Sequence, residues 1–346
     1  MFDIDNPEDL KNFENIEVND YSKYIVNPIE INKTVKDFFS GKIKKGYQIG
    51  ISCFDEHFVC KENELYALTG KKGGGKTTIN QSIQIMQSIV NDLVWVCAFQ
   101  ENSDWGQKVN YLNYFFGEYA KDVEKNNPEY YNQVSNWIDE HFIFLDVEDI
   151  KTALEVTKYL INKGINVHAL VLDPVNSFQS GFQNTGNGYA DGVETARKVL
   201  RFTEKFCTVY ISQHPNITSQ RNKDRIITSY DAEGGWWLNK ASFTWVIHRE
   251  KDTNLNHIIV EDVRNKHTGG SRTNFDNQLI IDWQVTRVNI LRGSEIYENV
   301  IQYLLRKHNP LKVEYDYLPE TKEIIPNQSI NDAFGISEND QNDILF

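Results

Sequence analysis

The sequence lacks the features of a zinc-binding, secreted or membrane-spanning protein. Its 346 residues include only four cysteines, which form no C-x-x-C pair, so the thiols are predicted to be reduced and no zinc site is expected. The longest apolar run near the middle, Leu93–Phe99, is far too short to cross a bilayer. The acidic start MFDIDNPEDL has neither the basic nor the apolar part of a secretion signal. We therefore expect a cytoplasmic protein that does not bind a membrane.

Basic residues are also few, because 36 Lys and Arg stand against 49 Asp and Glu and leave a net charge of -13. This balance argues against a surface that coats nucleic acid indiscriminately, although a local basic channel is compatible with it. The content of 40% hydrophobic and 25% charged residues is ordinary for a globular protein. The length suffices for one large domain or two modest ones.

From Tyr47 onward, apolar runs alternate with helical patterns, which is typical of a mostly parallel sheet flanked by helices. The predicted strands are Tyr66–Thr69, Leu93–Phe99, Phe142–Leu145, Val167–Leu172 and Thr208–Ser212. The predicted helices between them are Lys108–Glu118, Tyr130–Glu140, Ala153–Asn162 and Gly192–Phe206. Three later runs predict further strands that are partly antiparallel, at Phe243–His248, Ile258–Val263 and Gln278–Asp282.

The stretch Glu64–Met86 joins an apolar run, a glycine-rich turn and an amphipathic helix, and it matches the P-loop pattern G-x-x-x-x-G-K-[ST]. In such a turn the backbone N–H groups and the positive helix end surround phosphate groups, Lys76 reaches the outer phosphates and Thr77 offers a hydroxyl to Mg²⁺. An ordinary glycine-rich turn has no reason to place Lys-Thr directly after the glycines. The predicted nucleotide-binding residues are Gly70, Gly73, Gly74, Gly75, Lys76, Thr77 and Thr78.

Carboxylates follow two other predicted strands. Asp173 ends the apolar run VHALVLD, and at the carboxyl edge of a parallel sheet it would hold Mg²⁺ directly or through water, opposite Thr77. Glu101 follows the strand after the P-loop helix and is a candidate base that orients water for attack on a γ-phosphate. The alternatives are a turn or helix cap for Asp173 and a solvated helix N-terminal charge for Glu101.

Gln213 and His214 follow the predicted strand Thr208–Ser212 and reach the same edge of the sheet. Polar side chains at this position suit a sensor that reports whether a γ-phosphate is present to a neighbouring loop. Capping of the loop is the alternative.

Two polar loops are candidate nucleic-acid contacts. The stretch Pro215–Gly235 carries Arg221, Lys223 and Arg225, and the stretch Gln179–Gly188 is rich in Gly, Asn and Gln. Basic groups on loops beside a nucleotide sensor could grip a phosphate backbone, with an affinity that falls as salt rises. A small cluster of this kind is also compatible with simple solvation.

A further set of motifs occurs in a fixed order along residues 46–285. They are GYQIGISCFDEHF (Gly46–Phe58), the P-loop, AFQEN (Ala98–Asn102), LVLDPVNSF (Leu170–Phe178), ISQHPN (Ile211–Asn216), GGWWLNKASFTWVIHRE (Gly234–Glu250) and VEDVRNKHTGG (Val260–Gly270). This set resembles the RecA-like ATPase domain of DnaB-type and Twinkle-type replicative DNA helicases. The resemblance implies ATP and Mg²⁺ as cofactors. It also implies that Glu101 activates water, Asp173 serves Mg²⁺, and Gln213 with His214 senses phosphate.

The resemblance implies residues that act between subunits as well. Arg264 and Lys266 match a Lys/Arg pair that reaches the nucleotide of the adjacent subunit. Their order is swapped relative to the family, which leaves open which of the two is the arginine finger. Arg249 and Phe275 match the two sides of an adenine clamp, and the two polar loops match the loops that bind single-stranded DNA.

On this basis we expect an ATP-dependent replicative DNA helicase that forms a homo-oligomeric ring, expected to be a hexamer, and unwinds duplex DNA while moving on one strand. The expected organisation is an N-terminal arm with a linker helix (residues 1–45), a RecA-like ATPase domain (46–320) and an acidic flexible tail (321–346). The linker helix, at Ile29–Phe39, would dock on the next subunit. The tail, which ends in NDILF, resembles the docking tails of single-strand-binding proteins, so primase, polymerase and other replisome proteins are its candidate partners.

Primase activity is not predicted, because no primase or zinc-ribbon portion precedes the motor in this sequence. Two other functions stay open at this point. One is a recombination ATPase that forms filaments on DNA. The other is a RecA-like regulatory ATPase that does not move on DNA.

Overall fold

The computed structural model describes most of the chain between Asn27 and Lys312. The described residues are 27–43, 45–101, 103–182, 185–216, 226–250, 252–264, 269–273, 279–292 and 295–312. The chain divides into two compact units, Met1–Lys44 and Lys45–Phe346. Most of the predicted N-terminal arm and all of the predicted tail lie outside the described residues, and the predicted domain limits stay predictions.

In the first unit the description centres on helix α1 (Pro28–Phe39). The side chain of Asn27 caps this helix by accepting a hydrogen bond from the N–H of Ile29 at 2.9 Å, and Pro28 occupies the first turn, where its missing N–H costs nothing. No residue of α1 is buried, and Ile29 and Phe39 are 76% and 79% exposed. The predicted helix is confirmed, whereas its docking on a neighbouring subunit stays a prediction.

The second unit alternates strands with helices and then continues in antiparallel strands. In chain order its elements are α2 (Ser52–Asp55), β1 (Leu65–Gly70), α3 (Lys76–Asn91), β2 (Val94–Phe99), α4 (Asp104–Phe116), α5 (Ala120–Asn126), α6 (Pro128–His141), β3 (Phe142–Phe144), α7 (Ile150–Asn162), β4 (Val167–Asp173), α8 (Gly188–Thr203), β5 (Thr208–Gln213), β6 (Phe243–Arg249), β7 (Leu255–Val263), β8 (Leu279–Gln284), β9 (Arg287–Arg292), β10 (Glu295–Tyr297) and α9 (Val300–His308).

Across the described residues, ten strands form one sheet in the order β10-β9-β8-β7-β6-β1-β5-β4-β2-β3. The strand that precedes the P-loop, β1, lies between β5 and β6 and runs parallel to both, and β4, β2 and β3 continue the parallel part. From β6 to β10 each strand pairs antiparallel with the next. The predicted fold class, a central and mostly parallel sheet flanked by helices, is confirmed.

Helices cover both faces of the sheet because side chains along each strand alternate between two apolar layers. Tyr66 and Leu68 of β1 join the layer that contains α3, α4, α5, α6 and α9. Leu65 and Ala67 join the layer that contains α7 and α8. Aromatic contacts tie the central strands together, as in the stacked rings of Tyr66 and Tyr210, whose centroids are 4.4 Å apart.

The predicted helices are present with shifted ends. The largest shift is in α8, which starts at Gly188 rather than at the predicted Gly192, because the side chain of Asn187 caps its first turn by accepting the N–H of Ala190 at 3.2 Å. The left-handed φ of +90° at Gly164 ends α7, as the glycine at this position predicts.

Sequence reasoning missed β9, β10 and α9. The hairpin of β8 and β9 turns at residues 285–286, which are Val and Thr, so the glycine or asparagine that usually marks a two-residue turn is absent. The first of these strands is predicted as Gln278–Asp282, but it runs to Gln284. In β7 the start is Leu255 rather than Ile258.

The four cysteines, Cys53, Cys60, Cys97 and Cys207, are free and buried, which confirms the prediction of reduced thiols. None of the helices in the described ranges is both long enough and apolar enough to cross a membrane.

One buried ionisable group gives the second unit a testable response to acid. His168 of β4 is 8% exposed, its ring meets the ring edges of Tyr47 and Trp95 at centroid distances of 5.5 and 5.1 Å, and burial lowers its pKa to about 4. Between pH 6.5 and about 4 the unfolded chain therefore binds a proton that the folded chain rejects, so acid destabilises the fold through this residue.

We predict that His168→Phe, which retains an aromatic ring, loses less stability than the wild type between pH 7 and pH 4.5. The difference should grow to roughly 2 kcal/mol, because each pKa unit corresponds to about 1.4 kcal/mol. Urea unfolding followed by circular dichroism at both pH values measures it. Parallel pH curves for the two proteins would contradict this role of His168.

Candidate nucleotide-binding site

The P-loop follows β1 and leads into α3. Its turn is closed by the N–H of Gly74, which donates to the carbonyl oxygen of Lys71 at 2.9 Å. Gly75 has a left-handed φ of +84°, which a residue with a side chain rarely adopts. At Gly70 a Cβ would lie 2.9 Å from the carbonyl oxygen of Ile247, so only glycine lets β6 pack this closely. The sequence pattern therefore has the local structure that it predicts.

Lys76 lies in the first turn of α3 and is 7% exposed. Its Nζ donates to the carbonyl oxygens of Gly70 at 3.0 Å and Lys71 at 3.3 Å. Burial lowers the pKa of Lys76, and the nearby carboxylates of Asp173 and Glu101 oppose that effect. The ammonium group thus lies between the loop backbone and the two carboxylates predicted to share the site.

Asp173 is buried at the end of β4. The hydroxyl of Ser212 donates to its Oδ1, while Oδ2 is buried and has no hydrogen-bond partner among the described residues. Burial raises the pKa of the carboxyl group, against the lowering effect of hydrogen bonds from Ser212 and Thr77 and of the charge on Lys76. A buried carboxylate with one oxygen unsatisfied has a vacant position for a cation.

The donor set fits Mg²⁺, which commonly takes one or two protein oxygens and completes its shell with water and phosphate. The oxygens of Asp173 and Thr77 supply the protein share. Within the described ranges, no group of three or more His, Cys, Asp or Glu side chains forms a separate metal cluster. A metal at this position would therefore depend on the nucleotide for the rest of its ligands.

Glu101 and His214 meet above the end of β4. The sheet order places β4 between β2 and β5, so residues after β2 and β5 reach towards each other across it. The N–H of Gln100 donates to the main-chain oxygen of Asp173 at 3.1 Å, which fixes the start of the loop after β2. Nε2 of His214 lies 2.7 Å from Oε1 of Glu101. The structure thus brings both predicted residues together.

Gln213 is fully buried, and neither atom of its side-chain amide has a hydrogen-bond partner among the described residues. Its main-chain oxygen accepts a bond from the hydroxyl of Thr69 at 3.2 Å, which ties it to β1 just before the P-loop. Buried amides are almost always hydrogen-bonded, so this one is expected to meet a polar ligand or water.

A cleft of about 550 Å³ opens beside the P-loop. It is lined by Lys71, Lys72, Gly73 and Gly74 on one side and by residues 247–250 and 252–254 on the other. Arg249 is fixed in its wall, because Nε donates to the carbonyl oxygen of Thr253 and Nη2 to Oδ1 of Asn254, both at 3.0 Å. The structure therefore places the predicted base-contacting arginine next to the phosphate-binding loop.

Arg264 lies away from this cleft. It follows Val263, which pairs with Phe243 at the start of β6, whereas Gly70 before the P-loop pairs with Ile247. Four residues of strand separate these levels, or roughly 13 Å. Nη2 of Arg264 donates to the carbonyl oxygen of Asn239 at 2.9 Å. The structure does not bring Arg264 to the P-loop of its own chain.

The remaining predicted site residues lie outside the described residues: Arg221, Lys223, Arg225, Lys266 and Phe275. Sequence reasoning also missed residues that support the site. Ser212, which binds Asp173, and Asn176, whose Oδ1 accepts the N–H of His214 at 3.2 Å, are two of them. The only signal was position, since each lies within a few residues of a predicted strand end.

No protein-family model matches the sequence, and no curated protein matches it. The structure is nevertheless similar to a solved ATPase domain of a DnaB-like helicase, with a TM-score of 0.61 over 76% of this chain and 97% of that chain, at 11% identity. It is similar in the same way to a DnaB-like replicative helicase described with its interactions with primase, with a TM-score of 0.60 over 80% of this chain and 68% of that chain, at 12% identity.

The chain has a RecA-like ATPase fold. Its structural neighbours are ATPase domains of DnaB-like helicases, which agrees with the family that the motif order resembles. At this low identity the likeness establishes the fold alone, and the roles of individual residues in the RecA-like fold stay predictions.

The unsatisfied carboxylate of Asp173 leads to a prediction about stability. Asp173→Asn removes a buried charge and keeps an acceptor for Ser212, so it should stabilise the nucleotide-free protein by about 1 kcal/mol. The gain should be larger near pH 8 than near pH 5, because the raised pKa means that acid protonates Asp173 and removes the same charge.

Thermal unfolding without nucleotide or Mg²⁺ at both pH values measures this gain. Asp122→Asn, on an exposed residue of α5, is the matched control and should change the midpoint little. A lower midpoint for Asp173→Asn would show that the carboxylate stabilises the fold.

Proposed function

We propose that this chain is an ATP-dependent replicative DNA helicase that forms a ring, moves on single-stranded DNA and unwinds duplex DNA. The observation that carries the proposal is the convergence of the P-loop, Lys76, Asp173, Glu101 and Gln213 at one edge of a RecA-like sheet, with Arg264 on a different edge of the same sheet.

The residues of one chain have distinct roles in this proposal. Backbone N–H groups of the P-loop and the ammonium group of Lys76 bind the phosphates, and the cleft beside Arg249 takes the base. Asp173 and Thr77 hold Mg²⁺, which stabilises negative charge on the transferred phosphoryl group when bound. Glu101 orients a water molecule and accepts its proton, and Gln213 binds the γ-phosphate through its unsatisfied amide.

The second subunit enters through Arg264. A cation must reach the γ-phosphate to stabilise the transition state, and Arg264 lies at the wrong end of β7 to do so within its own chain. The proposal assigns this role to Arg264 or Lys266 of the neighbouring copy. A ring is the assembly in which every nucleotide receives such a partner, because head-to-tail contacts that close leave no chain unpaired.

The DNA track is assigned to the loops after β4 and β5, which carry Arg221, Lys223 and Arg225 in the second loop. Exposed apolar residues on α1 support docking of that helix on a neighbouring copy. A strand-displacement assay on a forked duplex tests unwinding, and micrographs with ATP and DNA test assembly. Closed rings and strand separation are expected, whereas helical filaments would favour a recombination ATPase.

The shared site yields a prediction about mixed assemblies. Lys76→Ala should abolish ATP hydrolysis, and the double variant Arg264→Ala with Lys266→Ala should lower kcat by about 1000-fold while nucleotide binding is retained. A one-to-one mixture of the two inactive proteins should regain activity, because about a quarter of random interfaces join an intact P-loop to an intact Arg/Lys pair.

ATPase assays of each protein alone and of the mixture measure this recovery. Arg287→Ala removes an exposed arginine from β9 and serves as the control, with wild-type activity expected. A mixture as inactive as its components would contradict the assignment in trans. Full turnover by an isolated monomer of the double variant would contradict it as well.

A further inference from the structure

We infer that His214 is a positioning residue for Glu101: its Nε2–H holds the carboxylate in the orientation from which it activates water. The inference rests on the proposed role of Glu101 as the base. It differs from the phosphate-sensing role that the sequence suggests for His214, because the effect acts through another side chain.

The contact itself has the geometry of a strong hydrogen bond. Nε2 of His214 lies 2.7 Å from Oε1 of Glu101, and a carboxylate can only accept, so the imidazole donates. Glu101 is otherwise poorly restrained, since 47% of its side chain is exposed. A flexible carboxylate of this kind has many rotamers, and a single donor from the facing loop selects one of them.

His214 is itself held from both sides. Its N–H donates to Oδ1 of Asn176 at 3.2 Å, and its carbonyl oxygen accepts the N–H of Glu233 at 2.8 Å. The side chain of Asn176 also donates to the carbonyl oxygen of Glu233 at 3.2 Å, so the three residues form a closed set of hydrogen bonds. Only 19% of the imidazole is exposed. The donor therefore has a defined position.

The acceptor side is fixed as well. The main chain before Glu101 is bound to β4 through Gln100, whose side-chain Nε2 donates to the carbonyl oxygen of Val147 at 2.6 Å. With one carboxylate oxygen bound to His214, the plane of the group is defined and Oε2 is left for water. Proton transfer is sensitive to such orientation, and a misplacement of about 1 Å can cost about 100-fold in rate.

The test compares substitutions that move the donor by a known amount. His214→Gln places an amide N–H three bonds from Cβ, at the position of the imidazole Nε2, whereas His214→Asn places it two bonds from Cβ, at the position of Nδ1. His214→Leu removes the donor. We expect kcat for ATP hydrolysis to fall about 10-fold to 100-fold in His214→Asn and His214→Leu, with KM for ATP unchanged, and His214→Gln to retain most of the wild-type kcat.

The assay uses the full chain under the conditions in which the wild type hydrolyses ATP, and binding of a fluorescent ATP analogue confirms that each variant is folded. In a Glu101→Gln background, His214→Asn should cause no further loss, because both changes remove the same oriented carboxylate. Unchanged kcat in His214→Asn and His214→Leu would overturn the inference. So would an equal loss in His214→Gln and His214→Asn, or a rise in KM without a fall in kcat, which would indicate direct phosphate binding.

Failure of the proposed function is distinguishable from failure of this inference. If Glu101→Gln itself hydrolyses ATP at the wild-type rate, then Glu101 is not the base and the proposed mechanism is wrong. If Glu101→Gln is inactive and the His214 variants are fully active, only the positioning role is wrong.

Discussion

The organisation of the candidate site depends on the burial of one carboxylate, that of Asp173, where β4 ends. The hydroxyl of Ser212 binds it from β5, and the main-chain oxygen of Asp173 accepts the N–H of Gln100 from the loop after β2. These lateral hydrogen bonds fix three neighbouring strand ends at one level. Glu101 and His214 can meet above Asp173 only because the main chain beneath them is aligned in this way.

This alignment leaves polar atoms inside the protein without partners. Oδ2 of Asp173 and both amide atoms of Gln213 are buried in this condition among the described residues. Such groups destabilise a fold unless a ligand satisfies them, and they are concentrated at functional sites because activity, and not stability, maintains them. Their position next to Lys76 and Thr77 relates them to the phosphates of a nucleotide.

Much of this arrangement is predictable from sequence, for two physical reasons. The P-loop is a local structure whose glycines and Lys-Thr pair specify it, and the carboxyl ends of parallel strands always share an edge, so Glu101, Asp173 and Gln213 could be placed together. The contact of Glu101 with His214 could not be predicted, because it depends on the order β5-β4-β2. The separation of Arg264 from the P-loop also required the structure, since it follows from the antiparallel pairing of β6 with β7.

The burial of all four cysteines has a consequence for how the sheet opens. Burial raises the pKa of Cys60 and Cys207 to about 12, and it raises that of Cys97 further, so hardly any thiolate forms in the folded chain. A thiol reagent can modify these residues only when the surrounding strands separate. Cys97 lies on β2, beside the loop that carries Glu101, whereas Cys60 precedes β1 at the opposite edge of the sheet. The natural thiols are therefore built-in reporters of opening frequency at two ends of the molecule.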